Sequence, residues 1–166
     1  MAIFSGRTTI KGLDKVMRNL NKEIMKIKGA TLKGMLRGAA IIRKSMDNTP
    51  PLIPVDTGAM RSSWFIVTSN AAQVAGKQTK FHNRPSLEAR MTDEHALAVS
   101  SAIESVRGKE PAIAFGFSAF YVDYVHENID ASFKRPGAGA KFFEAAIKNT
   151  LGQVKTVIRT EARIRK

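Results

Sequence analysis

The chain has 166 residues, 27 Lys and Arg against 14 Asp and Glu for a formal net charge of +13, 43% hydrophobic residues and no cysteine. This length and apolar content suit one cored domain and exclude a fully disordered chain, and the missing thiols exclude a disulfide framework, thiol catalysis and cysteine-ligated zinc. No apolar run approaches the roughly 18 residues of a membrane span and residues 1–12 lack a signal-peptide core, so a cytoplasm-like setting with no membrane partner is expected.

The charge is unevenly placed. Residues 1–48 carry 11 Lys/Arg and 3 Asp/Glu, residues 49–133 carry 7 and 9, and residues 134–166 carry 9 and 2. Two basic ends flank a nearly neutral middle. Such ends read either as solvated, Lys-rich helix faces or as a surface for nucleic acid or an acidic protein.

Leu13, Val16, Met17, Leu20, Ile24 and Ile27 recur at helical steps, and Lys11, Lys15, Arg18, Lys22 and Lys26 form a second stripe beside them. The pattern resumes with Leu32, Met35, Leu36, Ala39, Ile42 and Met46. One long helix is expected, weakened by Gly29, Gly34 and Gly38 at about 1 kcal/mol each, with Gly29 the place for a break. Asn48-Thr49-Pro50-Pro51 ends it, because the residue before proline avoids the helical region.

Residues 50–60 read as a proline-rich loop. Trp64-Phe65-Ile66-Val67-Thr68 is aromatic and β-branched, which predicts a strand. Residues 70–84, with Gly76, Lys77, Lys80 and Arg84, read as a mobile polar hairpin or loop. Residues 85–107 read as a helix: Pro85 suits its first turn, Leu87, Met91, Leu97, Ile103 and Val106 give an apolar face, and Gly108 suits its stop. Residues 112–117 and 119–125 read as two strands joined near Ser118. After a loop over 128–139, a second amphipathic helix over 141–163 carries Phe143, Ile147, Leu151, Val154 and Ile158. The order predicts an α+β fold in one domain. Long N- and C-terminal helices would pack on one face of a small, mainly antiparallel sheet, and residues 70–109 would form an inserted loop and helix.

Asp56-Thr57-Gly58-Ala59 matches the tetrapeptide around the catalytic aspartate of retroviral-type aspartic proteases. Two such aspartates must share a proton, so this chain would need a homodimer. That fold is almost all β and its motif ends an apolar strand, whereas Pro50-Pro51-Leu52-Ile53-Pro54 stands here and half the chain reads as helix. The simpler reading is structural. Pro54 extends the backbone, the Asp56 carboxylate accepts N–H groups further on, and Gly58 supplies a positive φ. Arg61 would then pair with Asp56 or face a partner.

His82, His95 and His126 share no metal-ligand spacing and read as solvated or capping residues. Arg135-Pro136-Gly137-Ala138-Gly139-Ala140-Lys141 lacks the phosphate-loop spacing and reads as a flexible connector, although cations at a helix start can meet an anion. There is no Gly-x-Ser-x-Gly elbow. Phe115, Phe117, Phe120, Tyr121 and Tyr124 lack the neighbouring cations of a nucleic-acid stacking platform and read as core or interface. No enzyme activity, cofactor or metal is expected.

Taken in order, the long basic helix, Pro54-Val55-Asp56-Thr57-Gly58-Ala59-Met60-Arg61-Ser62-Ser63-Trp64, then Tyr121-Val122-Asp123-Tyr124-Val125-His126-Glu127, then a Pro/Gly loop and Lys141-Phe142-Phe143-Glu144-Ala145-Ala146-Ile147 resemble the tail-completion, or tail-to-head joining, family of long-tailed bacteriophages. Its members often show Pro-Val-Asp-Thr-Gly-x-Leu-Arg-x-Ser, then Tyr-Ala-x-Tyr-Val-Glu, an arginine/proline-rich loop and a Phe-Leu-x-x-Ala helix start. Met60 stands here for the usual Leu, His126 precedes Glu127, and residues 70–109 are longer than typical.

The resemblance implies a non-enzymatic virion protein, assembled in the host cytoplasm as a ring matched to the six-fold tail. Its neighbours would be the tail tube or tail terminator and the connector or adaptor rings, with double-stranded DNA passing through the lumen. Asp56, Thr57, Gly58 and Arg61 would form a structural turn. Trp64, Tyr121, Tyr124, His126 and Glu127 would shape assembly contacts, and Lys77, Lys80 and Arg84 would lie on a loop that orders on assembly. Lys134, Arg135 and Lys141 would meet DNA or an acidic partner. The alternative is a free basic DNA- or RNA-binding protein, for which no helix-turn-helix, zinc-finger or RNA-recognition signature is present.

Overall fold

The computed structural model describes residues 13–70, 73–76, 79–81 and 85–163. Eight elements follow one another: α1 (Leu13–Asn48), α2 (Ala59–Ser62), β1 (Trp64–Thr68), β2 (Gln73–Ala75), α3 (Pro85–Val106), β3 (Ile113–Phe117), α4 (Val122–Glu127) and α5 (Phe142–Ala162). The fold is α+β, with the long first helix packed on the last.

The three strands lie in the order β2-β1-β3, all pairs antiparallel. Trp64 pairs with Phe117 and Thr68 with Ile113, while the β1–β2 register slips between Ile66 and Val67. Side chains alternate across the sheet. Trp64, Phe115 and Phe117 join a core with Ile42 and Met46 of α1 and Phe142, Phe143 and Ala146 of α5. Phe65 and Val67 face the other way, against Val99 and Val106 of α3. Helices therefore cover both faces of the sheet, not one as the element order suggested. The reason is β1 itself: Phe65, Ile66, Val67 and Thr68 are all buried, so both of its faces need a cover.

The α1 helix runs unbroken for 36 residues, through Gly29. Gly34 and Gly38 have a packing role that outweighs their cost in helix propensity. A Cβ on Gly34 would lie 2.9 Å from Ile158 Cα, and one on Gly38 would lie 2.8 Å from Val154 Cγ1. Their bare backbones let α5 approach closely in antiparallel sense. Glu161, near the end of α5, is ion-paired with Arg37 and lies 3.4 Å from Lys33. Toward its N-terminal end, residues 15–22 of α1 are all exposed.

The second aromatic segment is not a strand. After β3, the Ser118 N–H donates to Ser63 O (3.1 Å) and the Ala119 N–H to Ser63 Oγ (3.2 Å), which turns the chain out of the sheet. Val122 N–H then bonds Ala119 O and Val125 N–H bonds Tyr121 O, and α4 forms. Its aromatic and β-branched composition favours a strand, but the bonds to Ser63 lead it away from the sheet. The glycine stop after α3 is as expected, with Gly108 at φ 71°.

Candidate functional site

The sequence-distant motifs meet at one cleft of about 600 Å³. The 54–60 corner forms one wall, Tyr121 just before α4 and Val125 within it another, and Leu87 of α3 with Ser132, Phe133 and Lys134 close it. Pro54, Ala59 and Met60 are buried behind the corner. Tyr121 and Val125 stand one helical turn apart, which brings both onto the same side of α4. Burial raises the pKa of the Tyr121 hydroxyl above the ordinary tyrosine range, opposed by the influence of the Met60 backbone.

The corner works differently from the expected capped turn. Gly58 does take a positive φ of 83°, but it is itself the residue preceding α2, and no side chain caps that helix. Asp56 stands exposed, and its carboxylate accepts from Lys134 Nζ at 2.6 Å. Thr57 Oγ1 reaches forward instead and accepts from the Ala59 N–H at 3.4 Å. The left-handed step at Gly58 starts the helix at once, and Asp56 sits outside it. Arg61 pairs not with Asp56 but with Asp47 near the end of α1, Nε to Oδ1 at 3.0 Å.

Asp47 is a hub that the sequence does not announce. Its other carboxylate oxygen lies 3.1 Å from Arg43 Nη1, and its carbonyl accepts from Arg135 Nη2 at 2.7 Å. Arg135 Nη1 donates in turn to Ile53 O at 3.0 Å. The Arg43 guanidinium sits 5.8 Å from the ring centres of both Trp64 and Phe117, and burial lowers its pKa against the raising influence of Asp47. An i, i+4 Arg43–Asp47 pair was readable from α1; its links to Arg61 and Arg135 required the fold.

The 128–141 loop is tied down rather than loose. Leu52 N–H donates to Gly137 O (2.8 Å) and Gly139 N–H to Leu52 O (3.2 Å), so the loop zips onto the segment after α1. Lys141 precedes α5 in a left-handed conformation, φ 57°, with its N–H on His126 O at 2.8 Å and its ammonium on Glu127. That ammonium, followed by His126 Nδ1 at 2.7 Å, holds the Glu127 carboxyl below the usual range. All three cations expected to meet DNA or an acidic partner, Lys134, Arg135 and Lys141, thus have internal partners.

Trp64 is half-buried in an aromatic cluster, 5.5 Å from Phe115, 5.1 Å from Phe117 and 6.3 Å from Phe143. Tyr124 is 72% exposed and touches Asn128 through its hydroxyl. Lys80 is exposed, whereas Lys77, Arg84 and His82 lie outside the described residues. His95 is not solvated. It is buried between Phe65 and Phe81, with Nε2 2.9 Å from Gly76 O and Nδ1 2.6 Å from Ser118 Oγ. A carbonyl only accepts, so Nε2 donates to Gly76 O, while Ser118 Oγ lies between His95 Nδ1 and Ser63 O, which is 3.3 Å away. The pair has the geometry of a nucleophile and its base, but both groups are buried. It serves to fasten α3, the β2 end and β3 together. Among the described residues, no three His, Cys, Asp or Glu side chains converge on a metal-sized site.

No protein-family model, curated protein or solved structure matches the chain.

Proposed function

We propose that this chain is a structural subunit of a bacteriophage virion, a ring component of the head–tail junction that joins the tail tube to the connector and surrounds the passing DNA. One observation carries the reading. The segments that resemble the tail-completion family are far apart in sequence, yet they are joined in the fold. The first segment, Tyr121 and Val125 of the second and Lys134 of the Pro/Gly loop line a single cleft, where Asp56 pairs with Lys134, and outside it Glu127 of the second pairs with Lys141 at the start of the third. Motifs that build one surface together have a reason to occur together.

The test is mass measurement and electron microscopy of the purified chain, alone and mixed with tail tubes and connectors. A closed ring that binds a tail or connector end is expected. A chain that stays monomeric and binds neither refutes the reading. The net charge of +13 favours the second reading, a free nucleic-acid-binding protein. Duplex DNA binding by the monomer that falls steeply with salt, without ring formation, is the result that selects it.

A further inference from the structure

We propose that a row of cations along α1 binds the phosphate backbone of double-stranded DNA, a contact that rests on the ring reading and names the face turned to the duplex. Lys15, Lys22, Lys26, Lys33, Arg37 and Lys44 are all exposed, and they follow one another at alternating steps of seven and four residues. At about 100° per residue these steps hold all six within a strip about 60° wide, and a rise of about 1.5 Å per residue stretches it over about 44 Å. Buried Ile42 and Met46 lie on the opposite side of the helix. Glu23 reaches Lys26, and Glu161 reaches both Lys33 and Arg37. Among the described residues no other carboxylate pairs with the row, so six cations meet two carboxylates. The cations of the Pro/Gly loop differ, since Lys134, Arg135 and Lys141 each have an internal partner.

The make-up of this side selects the occupant. Asn19, Gly29 and Ala40 fill its gaps, and a Cβ on Gly29 would meet nothing within 4 Å. The strip therefore carries no large apolar side chain, which the buried centre of a protein–protein interface needs. A lipid surface needs an apolar face on the same helix. Met17, Leu20 and Ile24 offer one in the N-terminal half, on the far side from the row. Farther along, α5 lies against Gly34 and Gly38, and Ile42 and Met46 enter the core. That face is closed to lipid, yet the row continues through Arg37 and Lys44. Duplex DNA fits both facts. It carries one negative charge per about 1.7 Å of its axis, so a long, straight row of cations finds phosphates along its whole length. Phosphate contacts carry no base sequence, which lets a duplex slide past them as passage requires. The symmetry of a ring repeats the row around the duplex.

Binding of the full chain to a labelled random-sequence duplex, followed by fluorescence anisotropy across a salt series, tests the contact. Six phosphate contacts give a slope of log affinity against log salt of about −5. Lys15→Gln with Lys22→Gln and Lys44→Gln removes three exposed cations, and glutamine keeps the helix propensity of lysine, which circular dichroism checks. The slope should shrink by about 3, and affinity at about 0.1 M salt should fall on the order of a hundredfold. Lys109→Gln with Lys155→Gln and Arg159→Gln removes as much charge from exposed positions outside α1 and should leave the slope near wild type. Equal losses in the two triple variants reflect net charge alone and overturn the proposal. So does a wild type that fails to bind the duplex at low salt. A wild type that prefers poly-glutamate or phosphatidylserine vesicles at the same salt also overturns it, and assigns the row to an acidic protein or a lipid surface. Ring and contact fail separately. Loss of slope in a chain that never closes into rings keeps the contact and refutes the ring, whereas rings whose DNA affinity is the same in the row variant keep the ring and refute the contact.

Discussion

Replacing Gly34 by alanine tests whether α1 and α5 touch through backbone. In an open helix position, Gly→Ala stabilises by about 1 kcal/mol through propensity alone. Gly152 of α5 offers that case, because a Cβ there meets nothing within 4 Å. At Gly34 the new methyl would stand 2.9 Å from Ile158 Cα, 3.3 Å from Glu161 Cβ and 3.4 Å from Ile158 O. Two of these three atoms are backbone and cannot rotate away, so α5 must shift. Overpacking of this kind costs about 1–3 kcal/mol, which offsets the propensity gain and leaves a net loss of up to about 2 kcal/mol. For a chain of this length, that loss lowers Tm by up to about 4–8 °C, whereas Gly152→Ala raises it by about 2–4 °C. Thermal unfolding followed by circular dichroism at 222 nm gives both values. A Tm for Gly34→Ala that rises like that of Gly152→Ala refutes the close helix contact.

Other substitutions probe other links. Gly76 has φ 79° and a Cβ there would lie 2.4 Å from Trp64 O, while Gly108 has φ 71° in open space; Gly108→Ala should cost about 1–2 kcal/mol by urea unfolding, and Gly76→Ala clearly more. Arg135→Met should cost about 2–4 kcal/mol, because the carbonyls of Ile53 and Asp47 both lose a charged donor. Trp64→Ala should lower Tm strongly because Trp64 anchors the aromatic cluster, whereas Tyr124→Ala should leave Tm near wild type and show itself only in assembly. The raised pKa of Tyr121 favours its neutral form in the fold, so the stability it contributes is present below the ordinary tyrosine range and is lost as pH rises through the folded value. Urea midpoints between about pH 9 and 11 should fall more steeply for wild type than for Tyr121→Phe, and equal slopes refute the burial of that hydroxyl.

Periodicity made α1, α3 and α5 legible, because each keeps an apolar stripe through many turns. It failed at α4, whose six residues are too short for a period and whose aromatic and β-branched composition favours a strand. What turns this segment out of the sheet is the pair of bonds from the Ser118 and Ala119 N–H groups to Ser63, a residue from a distant segment. The corner was legible in its glycine and not in its aspartate. Gly58 needs its positive φ for local reasons, whereas the partner of Asp56 lies 78 residues away. The same holds for Arg135, 88 residues from the carbonyl of Asp47 that it bonds, and for His95, whose burial depends on Phe65 and Phe81 arriving from other segments.

The pairing of α1 with α5 also orders events during synthesis. Arg37 and its ion-pair partner Glu161 are separated by 124 positions, so the helix made early finds its cover only when the late one emerges. At about 5–20 residues per second, the glycine-bearing face of α1 waits roughly 6–25 s on the ribosome with its apolar neighbours uncovered. The dense lysines and arginines of that helix keep such a nascent segment soluble and mutually repelling. The basic character of the N-terminal half thus has a use before the protein has met any partner.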